Sequence, residues 1–260
     1  MSGSRTRVTF LGTGTSHGVP MIGCRCAVCT SPDPRDTRWR PSILVEFGEG
    51  PSLLVDTGPD LRAQALRFGV QRVDAVLFTH AHADHLLGLD DIRRFNHLQR
   101  SSIPCYGDPE TLREVGRIFA YAFSPKQEGG GVPRLELRPV EGPFSVGGQV
   151  VQPVPLLHGA VRIYGYRFGR FSYLTDCSEI PESSWPLLDG TEVLVVNALR
   201  DRPHPTHFTL AQALDVIDRV KPARALITHV CHDLGHEATS RRLPARVELA
   251  YDGLRVETAA

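Results

Sequence analysis

Apolar residues in this chain fall into short, dense runs separated by Gly-, Pro- and Asp-rich breaks, and most of the runs favour β structure. Val8–Gly12, Ser42–Phe47, Ser52–Asp56 and Val73–Thr79 read as strands. Further strands are expected from Leu135 to Asp176, around Glu192–Ala198 and over Ala225–Thr228. Helical periodicity appears between them. Pro59 opens a helix through Phe68 that Gly69 is placed to stop, and helical patterns cover Asp90–Leu98 and Glu110–Phe123. The clearest helix is Thr209–Val220. Thr209 and Gln212 form a capping box there, and Leu210, Ala213, Leu214, Ile217 and Val220 make one stripe that belongs to the core. Ser124–Pro133, with three consecutive glycines, predicts a loop at the edge of a site. Each half of the chain therefore runs through strands into a helix, which predicts an α/β fold, a four-layer αββα sandwich with an inner pair of sheets.

Candidate chemistry concentrates directly after the buried strand at Val73–Phe78. Thr79-His80-Ala81-His82-Ala83-Asp84-His85 packs three imidazoles and a carboxylate into one turn at a strand's carboxyl end, where open sheets gather reactive groups. Imidazole and carboxylate are preferred ligands of zinc-like ions. Residues two apart in extended chain point the same way, so His80 and His82 can share one ion. After the turn, Asp84 and His85 face a neighbouring position and can serve a second. Two such sites need more ligands, and three polar residues further along each terminate a strand: His158 after Val150–Leu157, Asp176 after Phe171–Thr175, and His229 after Ala225–Thr228.

A second cluster lies upstream. Gly12-Thr13-Gly14-Thr15-Ser16 leads into Cys24-Arg25-Cys26-Ala27-Val28-Cys29, which holds half of the six cysteines in an irregular segment at about 13–41. Met1 to Arg7 lacks the apolar core of a secretory leader, so a reducing, cytoplasmic setting is expected, and there the cluster reads as thiolates on a structural zinc. His232, three residues beyond His229, is the best fourth ligand; Cys231 competes with it. Cys105 and Cys177 sit in apolar strand surroundings and read as ordinary buried residues.

His-x-His-x-Asp-His is the signature of the metallo-β-lactamase superfamily, and the whole chain resembles that superfamily. With the Gly-Thr-Gly-Thr-Ser start and the Cys-x-Cys-x-x-Cys insert, it is similar to the PhnP-type phosphodiesterases from about Val8 to Asp233. The resemblance implies one metallo-β-lactamase domain over 1–260 with two divalent ions, zinc or manganese. It would place His80, His82 and His158 on the first ion, Asp84, His85 and His229 on the second, and Asp176 between them. It further implies that Asp56 buttresses the metal loop; Asp84 can both ligate and orient the nucleophile. His207, in Pro203-His204-Pro205-Thr206-His207, would act on the leaving group. The expected reaction is attack of a metal-bridging hydroxide on a phosphodiester, a small cyclic phosphate or nucleotide-like diester. His17 and His204 are expected as pocket lining or plain loop residues, and Arg93 and Arg94 as phosphate contacts or a solvated helix face.

Composition narrows the partners. With 260 residues, 41% of them hydrophobic, the chain can bury a full core. Lys plus Arg and Asp plus Glu are both 29, so no net field steers it towards nucleic acid or an anionic membrane. No apolar stretch reaches the length of a membrane span. A small-molecule substrate is the expected partner. A homodimer is implied by the resemblance alone. An RNA-processing nuclease resembling tRNase Z, a lactonase or thioesterase, and a zinc-stabilised binding protein remain the alternatives.

Overall fold

The computed structural model describes residues 5–124 and 131–259; most of the expected glycine-rich loop at Ser124–Pro133 lies outside them. The first sheet is built from β1 (Arg5–Gly12), β2 (Ser42–Phe47), β3 (Ser52–Val55), β4 (Ala75–Leu77), β5 (Ile103–Gly107), β6 (Leu135–Pro139) and β14 (Arg255–Ala259). Their order across it is β14-β1-β2-β3-β4-β5-β6. The second sheet holds β7 (Phe144–Val146), β8 (Gln149–His158), β9 (Val161–Phe168), β10 (Phe171–Leu174), β11 (Val193–Asn197), β12 (Arg224–Thr228) and β13 (Val247–Leu249). Its order is β13-β12-β11-β10-β9-β8-β7, parallel from β10 to β13 and antiparallel from β7 to β10.

Strand periodicity explains why the apolar runs are unbroken. Ile43, Val45 and Phe47 of β2 and Leu53 and Val55 of β3 face the second sheet and meet Tyr164, Tyr166, Phe168, Phe171 and Tyr173 in one buried cluster. The intervening Leu44 and Leu54 face outward and pack with Leu61, Ile92, Phe95, Leu112 and Val115. These belong to the helices α1 (Leu61–Phe68), α3 (Ile92–Gln99) and α4 (Pro109–Ile118). On the far side Leu174, Leu194, Val196 and Ile227 pack beneath Leu210, Ala213, Val216 and Ile217 of α6 (Leu210–Val220). Strands covered on both faces need apolar residues at both parities, and the result is the expected αββα sandwich.

Some boundaries move for identifiable reasons. The helix expected from Pro59 starts at Leu61, and its N-cap Asp60 makes no side-chain cap, its carboxylate being engaged by the Arg40 backbone N–H and guanidinium. The pattern over Glu110–Phe123 is two helices, α4 and α5 (Ala120–Phe123), broken where Phe119 leaves helical geometry. The strand expected over Val73–Thr79 keeps only Ala75–Leu77, since Thr79 turns to bond Asp56. Thr209 caps α6 with Gln212 in a reciprocal box, as the sequence predicts. Beyond Asp233 the sequence reading named no elements. There the chain forms α7 (His236–Ser240), β13 and β14, the last pairing with β1 at the sheet edge. No helix among the described residues is long and apolar enough to cross a membrane.

Candidate metal centre

The carboxyl ends of β3, β4, β8, β10 and β12 meet at one edge of the sandwich, and each carries a polar residue predicted from sequence. Three of them are held by backbone geometry that ordinary strand residues avoid. Asp56 (φ 63°), Asp176 (φ 60°) and His229 (φ 55°) lie in the left-handed region, which is uncommon for non-glycine residues and clusters at functional sites. At a strand end this conformation turns the chain sharply. The motif turn closes against its neighbour through Gly58 and Gly88, where an added Cβ would fall 2.2 Å from the Asp84 carbonyl oxygen and 2.0 Å from that of Gly58, respectively. The short helix α2 (Ala83–Leu86) then presents Asp84 and His85 inward.

Three of the buried imidazoles, those of His80, His85 and His158, are each aimed by a bond on the far nitrogen. His85 Nδ1 donates to Asp56 Oδ2 at 2.7 Å, while Asp56 also accepts the Thr79 N–H at 2.9 Å and the Thr79 hydroxyl at 2.8 Å. His158 Nδ1 lies 2.6 Å from the Asp176 carbonyl oxygen and 2.8 Å from that of Thr206, so it donates there. His80 Nδ1 is 3.0 Å from the Thr79 hydroxyl. Fixing one nitrogen this way leaves the other ready for a ligand, the arrangement found around metal-binding histidines.

The free nitrogens converge. Ligand atoms of His80, His82 and His158 lie within 4.8 Å of one another, as do those of His80, His85 and Asp176, and those of Asp176, His207 and His229. His80 Nε2, His85 Nε2, His207 Nδ1 and His229 Nδ1 are buried without a hydrogen-bond partner. Asp84 Oδ2 and Asp176 Oδ2 each lie 3.4 Å from His85 Nε2. Asp176 Oδ1 is 2.7 Å from His229 Nδ1, yet without hydrogen-bond geometry. Four orphaned imidazole nitrogens around two carboxylates are costly unless a cation satisfies them, so the residues fit a divalent-metal centre.

Electrostatics agrees. Burial alone would depress His85, but Asp176, Asp56 and Asp84 overrule it and hold the ring well above its usual range. The same burial, reinforced by His85, drives His80 well below its own. Burial would also raise Asp176, yet His229 and His85 hold it well below the ordinary carboxylate value. The pocket thus favours positive charge at its carboxylates and unprotonated nitrogen elsewhere, which is what a cation requires of its ligands. His207 joins this group rather than standing apart from it: its ring is 4.8 Å from His229 and 4.7 Å from His158, and burial, with His229 and His158, pushes it down to about 3.

The cysteine cluster assembles on the connection between β1 and β2. His232 Nδ1 lies 3.2, 3.4 and 3.5 Å from the Sγ atoms of Cys24, Cys26 and Cys29. A tetrahedral zinc with bonds of about 2.3 Å to sulfur and 2.0–2.1 Å to nitrogen has S···N edges of about 3.6 Å, so the four groups fit such an ion. Cys231 stands outside this group, its thiol near the Asp233 N–H at 3.4 Å. Cys26 is pushed down to about 6, chiefly by the Cys29 N–H. Arg38, 1% exposed, ties the cluster's loop to the His229–His232 loop: it donates to the carbonyls of Cys231 at 2.9 Å and Leu234 at 2.8 Å and pairs with Asp36 at 2.9 Å.

Both groups open on one cleft of about 310 Å³, lined by His17, His204, His207, His229, His232 and Arg200 among others. Arg93 and Arg94 border a different hollow, with His97 and Arg134, and Arg93 pairs with Asp90 at 3.0 Å. They form a solvated helix face. Sequence reasoning missed Arg38, Arg200 and Asn197, whose side chain accepts the Cys177 N–H at 2.8 Å and shapes the turn after Asp176. Only Asn197 and Arg200 carried a usable signal, their position at or just beyond a strand end.

A family model described as the beta-lactamase superfamily domain matches residues 52–230. The chain belongs to the metallo-β-lactamase superfamily. Within that superfamily, the crystal structure of a diphosphatase from the PhnP family superposes with a TM-score of 0.91 at 44% identity, covering 98% of this chain and 97% of the other. An octanoyltransferase of Porphyromonas gingivalis is 37% identical over 252 residues, 95% of this chain but 51% of that protein. A ribonuclease Z of Bradyrhizobium diazoefficiens is 35% identical over 117 residues, 44% of this chain and 33% of that protein. The chain thus matches about half of the first and a third of the second.

Proposed function

We propose that this superfamily member is a metal-dependent hydrolase that cleaves a phosphorus–oxygen bond in a small phosphodiester or diphosphate. The observation that carries the metal is the convergence of His80, His85, His207 and His229 nitrogens, buried and unpartnered, on Asp176. The phosphorus chemistry rests on the 44% identity to a PhnP-family diphosphatase over nearly the whole chain. His80, His82 and His158 would hold one divalent ion, zinc or manganese, and Asp84, His85 and His229 a second, with Asp176 between. A structural zinc would occupy Cys24, Cys26, Cys29 and His232. Two divalent ions held there would supply Lewis-acid charge and lower the pKa of water towards neutral pH.

The chain's own groups do the rest. Asp56 holds the His85 tautomer, and Asp84 of α2 orients the attacking water. Water oxygen bonds to phosphorus, the bond to the leaving oxygen breaks, and that oxygen takes a proton. His207 is the donor in this reading. It stands neutral without substrate, because burial and neighbouring imidazoles depress it, and an anionic phosphate beside it supplies the charge that favours its protonated form. His207→Ala is therefore expected to slow diesters with poor leaving groups by about 10²–10⁴-fold, with metal content near wild type. Unchanged turnover of such substrates would remove the role.

The deciding experiment is a turnover panel of cyclic phosphates, linear diesters, diphosphates, lactones and thioesters on metal-defined protein. Hydrolysis confined to the phosphorus compounds is expected; activity on carbonyl esters alone would defeat the proposal. The ribonuclease Z likeness favours a second reading, cleavage of RNA by the same centre. The cleft volume lies at the lower end of the roughly 300–1,000 Å³ typical of small-ligand pockets, which suits a small substrate better.

A further inference from the structure

Resting on the phosphorus reading above, we propose that Arg200 and His204 form a second phosphoryl subsite, which holds the non-reacting phosphate of a diphosphate-bridged substrate. Arg200 follows β11 and Leu199 and has a fixed backbone: its carbonyl accepts the Leu210 N–H at 3.0 Å, and the Leu199 carbonyl accepts the Cys231 N–H at 3.1 Å. Among the described residues its guanidinium donates only to the carbonyls of Arg202 and Pro203, both at 3.3 Å. Among the described residues no carboxylate pairs with it, although Asp233 lines the same cleft, because Arg202 already takes that carboxylate at 2.8 Å. The cleft thus contains a half-buried, uncompensated guanidinium, whose planar fork matches phosphate oxygens.

His204 spans the distance between that charge and the centre. Its ring lies 5.0 Å from His207, which in turn contacts His229 and His158. Thr206 N–H approaches His204 Nδ1 at 3.4 Å, so that nitrogen accepts and Nε2 carries the proton, a donor available to a ligand. Burial and the Arg200 charge both disfavour a second positive charge on His204, which keeps it a neutral donor. The two phosphorus atoms of a diphosphate share one oxygen, so the second phosphoryl must sit immediately beside the first. His204 and Arg200 share one cleft with His207 and His229 and are the donors offered to it there; a lactone or thioester would leave them unused.

The test compares metal-loaded wild type with Arg200→Gln on two substrates, bis(p-nitrophenyl) phosphate with one phosphorus and ADP-ribose with a P–O–P bridge. The variant is expected to lose about tenfold to hundredfold more kcat/KM on ADP-ribose than on the single-phosphorus diester, mostly through KM, the range of a lost charge-assisted hydrogen bond. Inhibition by inorganic pyrophosphate should weaken relative to inhibition by phosphate, and Arg202→Gln, whose charge is already paired, should leave the substrate ratio in place. Equal losses on both substrates, or unaltered pyrophosphate inhibition, would overturn the subsite while leaving the hydrolase reading intact. A wild type inert towards every phosphorus substrate would overturn both. Because Arg200 lies at the surface of the cleft, the folding of the variant can be verified by its melting temperature and metal content.

Discussion

The histidine–aspartate centre stands on strand ends that two packed sheets hold in place, whereas the Cys24–Cys29 cluster hangs on a connection whose only helical element is the short turn Pro34–Asp36. At the first, His80, His85, Asp176 and His229 are each 2% exposed or less, and Asp56, Thr79, Thr206 and Asn197 fix their surroundings from several elements. At the second, the cysteines are partly exposed and their partners are few. One site is preorganised by the fold and poised to bind an ion. The other, in the proposed reading, would lean on an ion to organise the chain around it, as small cysteine sites commonly do. The two touch through the His229–His232 loop, which contributes to both and is braced by Arg38.

Removing Asp176 should separate them most sharply. Asp176→Asn is expected to cost about a thousandfold or more in turnover, roughly 4 kcal/mol of transition-state stabilisation, while the cysteine site keeps its ion. Elemental analysis of the variant checks this; loss of every ion together would erase the distinction. Next comes Asp56→Asn, which touches no ion but releases the His85 tautomer. A drop of about 10–100-fold in metal affinity or activity is expected, read by competition with a chelator. Cys29→Ser should do the reverse: one ion fewer per chain and a melting temperature lower by roughly 5 °C or more, with the remaining activity proportional to folded protein. A melting temperature equal to wild type would show that the segment needs no ion.

The smallest effect concerns the seam between the cysteine segment and the sheet. Asp252 accepts the Thr13 hydroxyl and the Trp39 N–H, both at 2.7 Å, and burial pushes it up to about 7. The folded chain therefore keeps a proton that the unfolded chain has released above about pH 4, so this group's contribution declines as pH rises towards 7 and is constant beyond. Asp252→Asn should flatten that part of the stability profile by about 2–4 °C in melting temperature between pH 5 and pH 8. An identical slope in both proteins would assign the dependence elsewhere.

The sequence on its own determined the sandwich and the roster of ligand candidates. Strands covered on two faces must be apolar at every position, α6 announces itself by its cap and stripe, and polar residues that end such strands are conspicuous. Four residues in one turn, His80 to His85, were legible because their spacing is local. Tertiary structure decided everything that depends on elements far apart in the chain meeting. It closed the first sheet with β14 and brought His207 within reach of Asp176 and His229. It chose His232 over Cys231, left Arg200 without a counter-charge among the described residues, and turned Asp56, Asp176 and His229 into left-handed geometry. A periodic pattern reports which face a residue is on, but the partner across a cleft is set by packing between sheets, which no local spacing encodes.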